Sequence, residues 1–219
     1  MHPIPAEYRK FNKICRAAMT CRQCFEILPL NPALIDLPQP RWIGHDYWTA
    51  SVKTLILLLN PGAGNSRSKQ ENNEPFRKIL FNFREGKVGL IKLLNYEKEH
   101  MQRWGTPKGR FLKFYLDGLM LDLNEIAFAN IAWCAEAKNK YPNKMLDLCF
   151  QAHTRDLIAA IAPDIILLSG SSTHRFLAQV QSIASKAKVI TMMHYAHREG
   201  KAREELELKN IQAKIGKVR

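Results

Sequence analysis

The stretch "KTLILLLNPGAG", residues 53–64, decides the fold. Its apolar run is short and is bounded by turn residues, which is typical of a buried β-strand. The strand leads into a loop opened by Pro61 and Gly62, where a glycine lets the backbone approach a ligand closely. Asn60 stands where the strand meets this loop, so we expect its amide at the carboxyl end of the strand.

Three more apolar runs follow along the chain, namely "IAFANIAWC", "DIILLSG" and "KVITMMH", and segments with helical spacing of apolar residues separate them. This alternation predicts an α/β fold, a three-layer α/β/α sandwich with a central, mostly parallel four-stranded sheet. Ligands of such sheets bind outside the carboxyl ends of the strands. The polar residues at those ends are Asn60, Asn130, Ser169 and His194.

The chain has 219 residues, of which 46% are hydrophobic, and this suits one domain spanning residues 1–219. The polar segment 64–75 is predicted to be a loop, within an insertion at about 66–125. Further along, "FLKFYLDGLMLDLNE" has the spacing of an amphipathic helix interrupted at Gly118. The segment at about 198–219 predicts a basic C-terminal helix, whose mixed charges are typical of a solvated face.

The formal net charge of +13 and the isoelectric point of about 9.7 favour nucleic acid as a partner. Lysine and arginine side chains that neutralise phosphates release counterions, which drives such binding. The alternative is a basic protein without a polyanionic partner. The N-terminus lacks the apolar core of a secretory signal, and no apolar run is long enough to span a bilayer. We therefore expect a cytoplasmic protein that binds no membrane, and we expect a monomer.

The glycine loop fails the two common phosphate-binding patterns. A dinucleotide-binding fingerprint needs a third glycine where Arg67 stands, and no Gly-Lys-Ser or Gly-Lys-Thr follows to complete a Walker loop. The loop therefore disfavours a phosphate-cradling NTPase, and its plain structural interpretation is a turn between a strand and a helix.

The five cysteines include a Cys-x2-Cys pair, in which two thiolates can face one metal ion or cluster. Two more cysteines lie far along the chain, with fourteen residues between them, on a strand end and on a predicted helix. Disulfides are rare inside cells, so the cysteines indicate either a metal site or buried free thiols. The five are Cys15, Cys21, Cys24, Cys134 and Cys149.

His194 ends the fourth predicted strand, and His197 follows it. An imidazole at the carboxyl end of a strand can donate a hydrogen bond to a developing anion. The alternative is a surface histidine beside a turn.

Taken in order, these motifs resemble the uracil-DNA glycosylase superfamily, most closely its iron–sulfur branch, called family 4. The order is Cys21-x2-Cys24, "LLLNPGAG", "FANIAWC", Cys149, "APDIILLSG" and "VITMMH", and it covers about residues 21–197. The Asn-Pro-Gly form of motif A is similar to the mismatch-specific and single-strand-selective branches, since the iron–sulfur branch usually carries a carboxylate there. Motif B reads His-Tyr-Ala at 194–196 instead of His-Pro-Ser.

The resemblance implies a DNA glycosylase that flips uracil or another deaminated base out of DNA and hydrolyses its N-glycosidic bond. It implies that Asn130 pairs with the base edge, that His194 donates to the base O2, and that Asn60 positions the attacking water. Pro61 and Gly62 would let the backbone approach the flipped nucleotide. Phe76 would stack on the base, or is a helix core residue.

The resemblance also implies a 4Fe–4S cluster held by Cys21, Cys24, Cys134 and Cys149, with zinc or no metal as the alternatives. No lysine is placed by the motifs for a Schiff base, so the expected enzyme is monofunctional and leaves an abasic site. The DNA partner would be single-stranded or mismatched. The alternatives are a catalytically weak or inactive glycosylase fold that binds nucleic acid, and an unrelated activity on a nucleotide.

Overall fold

The structure, a computed structural model, describes residues 6–62, 67–105, 107–197 and 200–218, with the side chains of all of these except 67–72. Gly64 of the glycine loop and residues 198, 199 and 219 of the predicted C-terminal helix lie outside the described residues. The elements are α1 (Ala6–Ala18), α2 (Gln23–Ile27), β1 (Thr54–Leu58), α3 (Arg67–Arg84), α4 (Leu90–Met101), α5 (Arg110–Tyr115), a 3-10 turn (Leu123–Glu125), β2 (Ile126–Asn130), α6 (Asn143–Cys149), a π-helical segment (Phe150–Thr154), α7 (Arg155–Ile161), β3 (Ile165–Ser169), α8 (Ser171–His174), α9 (Leu177–Ile183), β4 (Lys188–Met192) and α10 (Lys201–Gly216).

The sheet has four strands in the order β2-β1-β3-β4. All are parallel, with Leu55 of β1 opposite Ile166 of β3, and Ile166 opposite Val189 of β4. Every residue of β1, β2 and β3 is buried, as expected of parallel strands that are covered on both faces. The predicted α/β class with a central four-stranded sheet is confirmed, and the flanking helices are consistent with the predicted three-layer class.

The chain divides into two compact units, each made of three chain segments. The first unit comprises residues 1–41, 60–96 and 130–161, and the second comprises 42–59, 97–129 and 162–219. The strands belong to the second unit, except that Asn130, the last residue of β2, falls in the first. The prediction of a single domain over the whole chain stays a prediction.

Helices pack within each unit. In the first, α1 packs against α7 and α2 against α6. The stretch "NKMLDLCFQAHTRDLIAAIA", residues 143–162, whose apolar spacing predicts a helix, is helical up to Ile161, with a π-helical segment in its middle. In the second, α8 contacts β3 and β4, while α9 and α10 contact β4. Within the described part of the chain, no helix is both long enough and apolar enough to cross a membrane.

The loop predicted over 64–75 is wrong from residue 67 onward, because α3 begins at Arg67 and continues through Pro75. A proline inside a helix costs about 3 kcal/mol, since it removes a backbone donor and its ring clashes with the preceding turn. The same helix buries Leu80 and Phe83 completely. Each such side chain contributes about 1.5–3 kcal/mol, so together they outweigh the cost of the proline.

The helix predicted over "FLKFYLDGLMLDLNE" is shorter than expected, because α5 ends at Tyr115. At Gly118 a Cβ atom would lie 2.3 Å from the carbonyl oxygen of Phe114, so only glycine fits this close turn. Met120 then adopts the left-handed region, with φ 55°. The chain therefore turns here instead of extending the helix.

Candidate functional site

Asn60 follows β1 by two residues, and side chains of the segment after β2 hold it. Its Nδ2 donates to Oδ1 of Asn139 over 3.1 Å. It also hydrogen-bonds the hydroxyl of Tyr141, whose pKa is raised by burial and lowered in part by the Asn60 donor. Because the amide nitrogen serves these two acceptors, the carbonyl oxygen of Asn60 is the atom suited to accept from a water molecule.

The turn that carries Asn139 and Tyr141 is built around the buried carboxylate of Glu136. Oε2 of Glu136 accepts from the backbone N–H groups of Lys138 and Lys140, each over 2.8 Å. The backbone N–H of Glu136 donates to the Tyr141 hydroxyl over 3.1 Å, and Asn139 has φ 56°, a conformation that asparagine tolerates. Sequence reasoning missed this turn: "NKYP" signals a turn, but nothing in it indicates a contact with Asn60.

Asn130 is the last residue of β2 and is only 2% exposed. Among the described residues, neither its Nδ2 nor its Oδ1 has a hydrogen-bond partner. Its backbone is nevertheless fixed, because Thr154 Oγ1 donates to the Asn130 carbonyl oxygen over 2.9 Å and itself accepts from Trp133 Nε1 over 3.0 Å. A buried polar group without partners costs about 1–3 kcal/mol, so this amide is suited to a ligand that supplies them.

Gly62 and Phe76, both predicted to contact substrate, have different surroundings. Gly62 has φ 80°, and no described atom lies within 4 Å of where its Cβ would be, so the backbone beside Pro61 is open to a neighbour. Phe76 is 1% exposed, and its ring stacks on Tyr96 with centroids 5.7 Å apart. This geometry favours the core interpretation of Phe76 over the base-stacking one.

The four cysteines of the predicted cluster lie in the first unit, and pairs of them affect one another's pKa. Burial, then the charges of Cys24 and Cys21, raises the pKa of Cys134. A hydrogen bond with Cys24, then burial and the charge of Cys134, raises the pKa of Cys149. These pKa shifts link the four thiols in pairs, and their role as ligands of one cluster stays a prediction.

Cys15 behaves differently from these four. It is fully buried, and burial raises the pKa of its thiol, without any contribution from the other cysteines. Cys15 is therefore an inert core thiol.

The donor set fits a thiolate-bound metal, although the side chains do not stand in a metal-binding geometry. Neighbouring thiolates repel one another, and a bound cation reverses that effect and lowers their pKa values. The backbone N–H of Trp133 donates to Cys149 Sγ over 3.1 Å, the kind of contact that stabilises a ligating sulfur. Among the described residues, no three His, Cys, Asp or Glu side chains are grouped as ligands of one ion.

His194 lies in the second unit, two residues after β4. Its Nδ1 accepts from the backbone N–H of Ala196 over 3.3 Å, so the ring proton of the neutral imidazole resides on Nε2. Burial, then the charge of His197, lowers the pKa of His194 below its usual value of 6.5. The ring is therefore neutral near pH 7 and presents an N–H donor.

Two neighbouring residues restrict the position of His194, namely Gly170 and Tyr195. A Cβ at Gly170 would lie 3.3 Å from the Cβ of His194, and Gly170 has φ 98°, so a side chain there would be both strained and crowded. The Tyr195 ring packs edge-on against Phe111, with centroids 5.1 Å apart. The residue that follows His194 is thus anchored by an aromatic contact.

No protein-family model matches this sequence, and no curated protein gives a significant match to it. The fold and the local geometry define a parallel α/β protein with a buried amide in the last residue of β2 and a neutral histidine after β4. The relationship to uracil-DNA glycosylases accordingly rests on the ordered motifs of the sequence, and it remains a hypothesis.

Proposed function

We propose that this protein is a DNA glycosylase that removes uracil or another deaminated base. The observation that carries the proposal is Asn130, whose buried amide has no partner among the described residues. A side-chain amide offers both a donor and an acceptor, which complements the O4 and N3–H of uracil. A site built to hydrogen-bond its ligand also rejects bases that leave those groups unpaired.

The neutral ring of His194 supports the departure of the base. When the glycosidic bond breaks, its electron pair goes to the base, and negative charge develops on the base O2. The Nε2–H of His194 is a donor suited to stabilise that charge, because Nδ1 is already occupied by the N–H of Ala196.

Asn60 supports the attack of water on C1′ of the sugar. Its carbonyl oxygen can accept a hydrogen bond from water while Asn139 and Tyr141 hold its nitrogen. An amide is not a strong general base, so the water must attack a sugar that is already cation-like. The enzyme is therefore slower than one that has a carboxylate at this position.

The cysteine group supports a structural 4Fe–4S cluster bound by thiolates, with zinc as the alternative. When bound, such a group supplies a crosslink within the fold and takes no part in base release. Thiols that raise one another's pKa in pairs and a backbone donor to Cys149 Sγ suit that set of ligands. All five cysteines are free, which suits the reducing cytoplasm.

The charge of the chain supports DNA as the partner, single-stranded or mismatched, bound by a monomer. With a formal net charge of +13, binding should weaken steeply with salt, because each neutralised phosphate releases a counterion. Membrane binding is not part of the proposal.

A second function, nucleic-acid binding without base release, is favoured by motif B. The residue after His194 is Tyr195, whose ring packs against Phe111 in an aromatic cluster. If this anchor holds His194 away from the productive position, the protein grips nucleic acid without cleaving it.

Gel analysis of oligonucleotides carrying uracil, hypoxanthine or a G·U mismatch separates these functions. We expect strand breaks only after alkali, because a monofunctional enzyme leaves an intact abasic site. Asn60→Ala and His194→Ala should lose cleavage and keep DNA binding, while His45→Ala, at an exposed histidine, should retain both. Wild-type protein that binds all of these oligonucleotides and cleaves none would leave only the second function.

A further inference from the structure

The backbone on both sides of His194 is held by side chains. The N–H of Met193 donates to Glu207 Oε1, and the C=O of Met193 accepts from Ser169 Oγ over 3.1 Å. The C=O of Tyr195 accepts from Arg110 Nε over 2.8 Å. The residues immediately before and after the imidazole therefore have fixed peptide planes.

Two of these contacts depend on α10, the basic C-terminal helix. Glu207 accepts a hydrogen bond from the N–H of Met193. Glu204 forms an ion pair with Arg110, with 2.5 Å between Oε2 and Nη2. The ion pair orients the guanidinium that holds the Tyr195 carbonyl. Both partners are mostly shielded from water, with 24% of the Arg110 side chain and 23% of the Glu204 side chain exposed.

The position of α10 is itself fixed within the second unit. Ile211 and Ile215 are buried, and Gln212 Nε2 donates to the Gly118 carbonyl oxygen over 2.9 Å. Lys188 Nζ on β4 donates to the Lys214 carbonyl oxygen over 2.9 Å, near the end of the helix. The helix thus has a defined register, and Glu204 and Glu207 point to defined places.

The opposite side of the same helix is solvated, as the mixed charges of the sequence predict. Lys201 and Glu205 form an ion pair over 3.7 Å with 91% and 56% of their side chains exposed. Such a pair contributes little to stability. The helix therefore contains two glutamates that can be compared directly. The side chain of Glu205 is exposed to water, whereas that of Glu207 accepts a hydrogen bond from the Met193 amide.

We propose that α10 is a positioning helix for His194, in which Glu207 and the Glu204–Arg110 pair clamp the backbone of residues 193–195. Its catalytic consequence rests on the proposed glycosylase function, whereas the clamp does not. In the part of the chain that the structure describes, β4 is an edge strand, so the N–H of Met193 just beyond it has no neighbouring strand to donate to on that side. A carboxylate acceptor completes this backbone bond, and the bond limits where the ring of His194 can lie.

The test compares three variants of the full chain, namely Glu207→Ala, Glu207→Gln and Glu205→Ala. Hydrogen exchange of the Met193 amide should speed up about tenfold to hundredfold in Glu207→Ala, the usual range for losing a bond to a charged acceptor. Glu207→Gln keeps an acceptor oxygen and should restore most of the protection. Glu205→Ala should exchange like the wild type.

The cleavage kinetics of the same variants give a second measurement. On the uracil oligonucleotide, Glu207→Ala should lower kcat about tenfold with KM unchanged, and Glu207→Gln should recover most of the rate. If Glu207→Ala does not fold, Arg110→Lys replaces it, because lysine keeps the charge beside Glu204 but lacks the planar fork; its kcat should fall likewise.

The outcomes separate the two proposals. Met193 exchange and kcat that match the wild type in Glu207→Ala overturn the clamp. Wild-type protein without cleavage overturns the glycosylase function, while the exchange measurement still decides the clamp.

Discussion

Asn130 and Ser169 each end a strand of the sheet, β2 at its edge and β3 inside it, and they differ in how their side-chain hydrogen bonds are satisfied. Each is the last residue of a fully buried strand, and their exposed fractions are 2% and 1%. Ser169 Oγ donates to the Met193 carbonyl and receives the hydroxyl proton of Tyr115, whereas the amide of Asn130 has no partner among the described residues. A satisfied group stabilises the fold, and an unsatisfied one gains stability only when a ligand arrives.

Asn130 and Ser169 also differ in the side chains that surround them. Burial raises the pKa of Tyr115, so its phenol stays protonated and remains a donor to Ser169. Behind Asn130, Trp133 donates to Thr154, which holds only the backbone carbonyl. The protein therefore fixes the backbone of Asn130, while the side-chain amide has no partner among the described residues.

The largest effect is expected from Asn130→Leu. Single-turnover cleavage of a uracil oligonucleotide should fall about a hundredfold to a thousandfold, as for loss of a group that binds the reacting fragment. The free energy of unfolding in urea should stay unchanged or rise by about 1 kcal/mol, because an unpaired buried polar group is removed. Asn95→Leu, at an exposed position of α4, serves as the control and should cleave normally. A large loss of stability together with retained cleavage would make Asn130 structural, like Ser169.

Cys149→Ser should have the next largest effect and tests whether the cysteines of the first unit bind a metal. We expect loss of brown colour and of bound iron, and a fall in the free energy of unfolding of about 3 kcal/mol, because metal binding to a folded site is folding free energy. Cys15→Ser is the matched control, since Cys15 is buried but apart from the four interacting thiols. Colourless, metal-free wild-type protein would contradict the cluster.

Ser169→Ala should give a smaller effect. It should lower the free energy of unfolding, which Asn130→Leu should leave unchanged or raise. It leaves the Tyr115 hydroxyl and the Met193 carbonyl without their partner, so urea unfolding should show a loss of about 1–3 kcal/mol. The double variant with Tyr115→Phe should lose less than the sum of the single changes, since both remove one network. Additive losses would show that the two hydroxyls act independently.

His153 should give the smallest effect, in the pH dependence of stability. Its Nε2 is buried without a partner among the described residues, and burial, opposed by the charge of Asp156, lowers its pKa below 6.5. The unfolded state then binds the proton more tightly, so stability present above pH 6.5 is lost as the pH falls through the folded-state pKa. Because the imidazole can lose its proton, it avoids the cost of a buried charge by staying neutral.

The variants His153→Phe and His45→Phe test that dependence. The first keeps a ring beside Trp133 and should flatten the fall in stability on acidification, whereas the second changes an exposed histidine and should not. Urea unfolding at several pH values makes the comparison, and identical acid profiles for wild type and His153→Phe would refute it.

The sequence predicted the elements whose signals are local. β1, β2 and β3 are continuous apolar runs bounded by turn residues, and Asn130 follows from the end of one of them. The loop predicted around Pro75 was wrong, because buried side chains later in α3 outweigh a local breaking signal.

The details of the candidate site depend on contacts between residues that are distant in the sequence, and sequence patterns do not reveal such contacts. Asn60 meets Asn139 across 79 positions of sequence, and Glu207 meets Met193 across 14. The mixed charges of α10 predicted a solvated helix, which holds for Glu205 but not for Glu207. Whether a buried amide has partners likewise depends on all of its neighbours, so the contrast between Asn130 and Ser169 emerges only in three dimensions.

The most direct test of the central claim is the side-chain amide signal of Asn130 in a proton–nitrogen NMR correlation spectrum. The signal is assigned by its absence in Asn130→Leu, and it is followed as an oligonucleotide with one non-cleavable 2′-fluoro-deoxyuridine is added. We predict that it moves with this oligonucleotide and stays in place with the same oligonucleotide carrying thymidine. An amide signal that does not move while backbone signals report binding of the uracil oligonucleotide would contradict the assignment of Asn130 as the base-reading group.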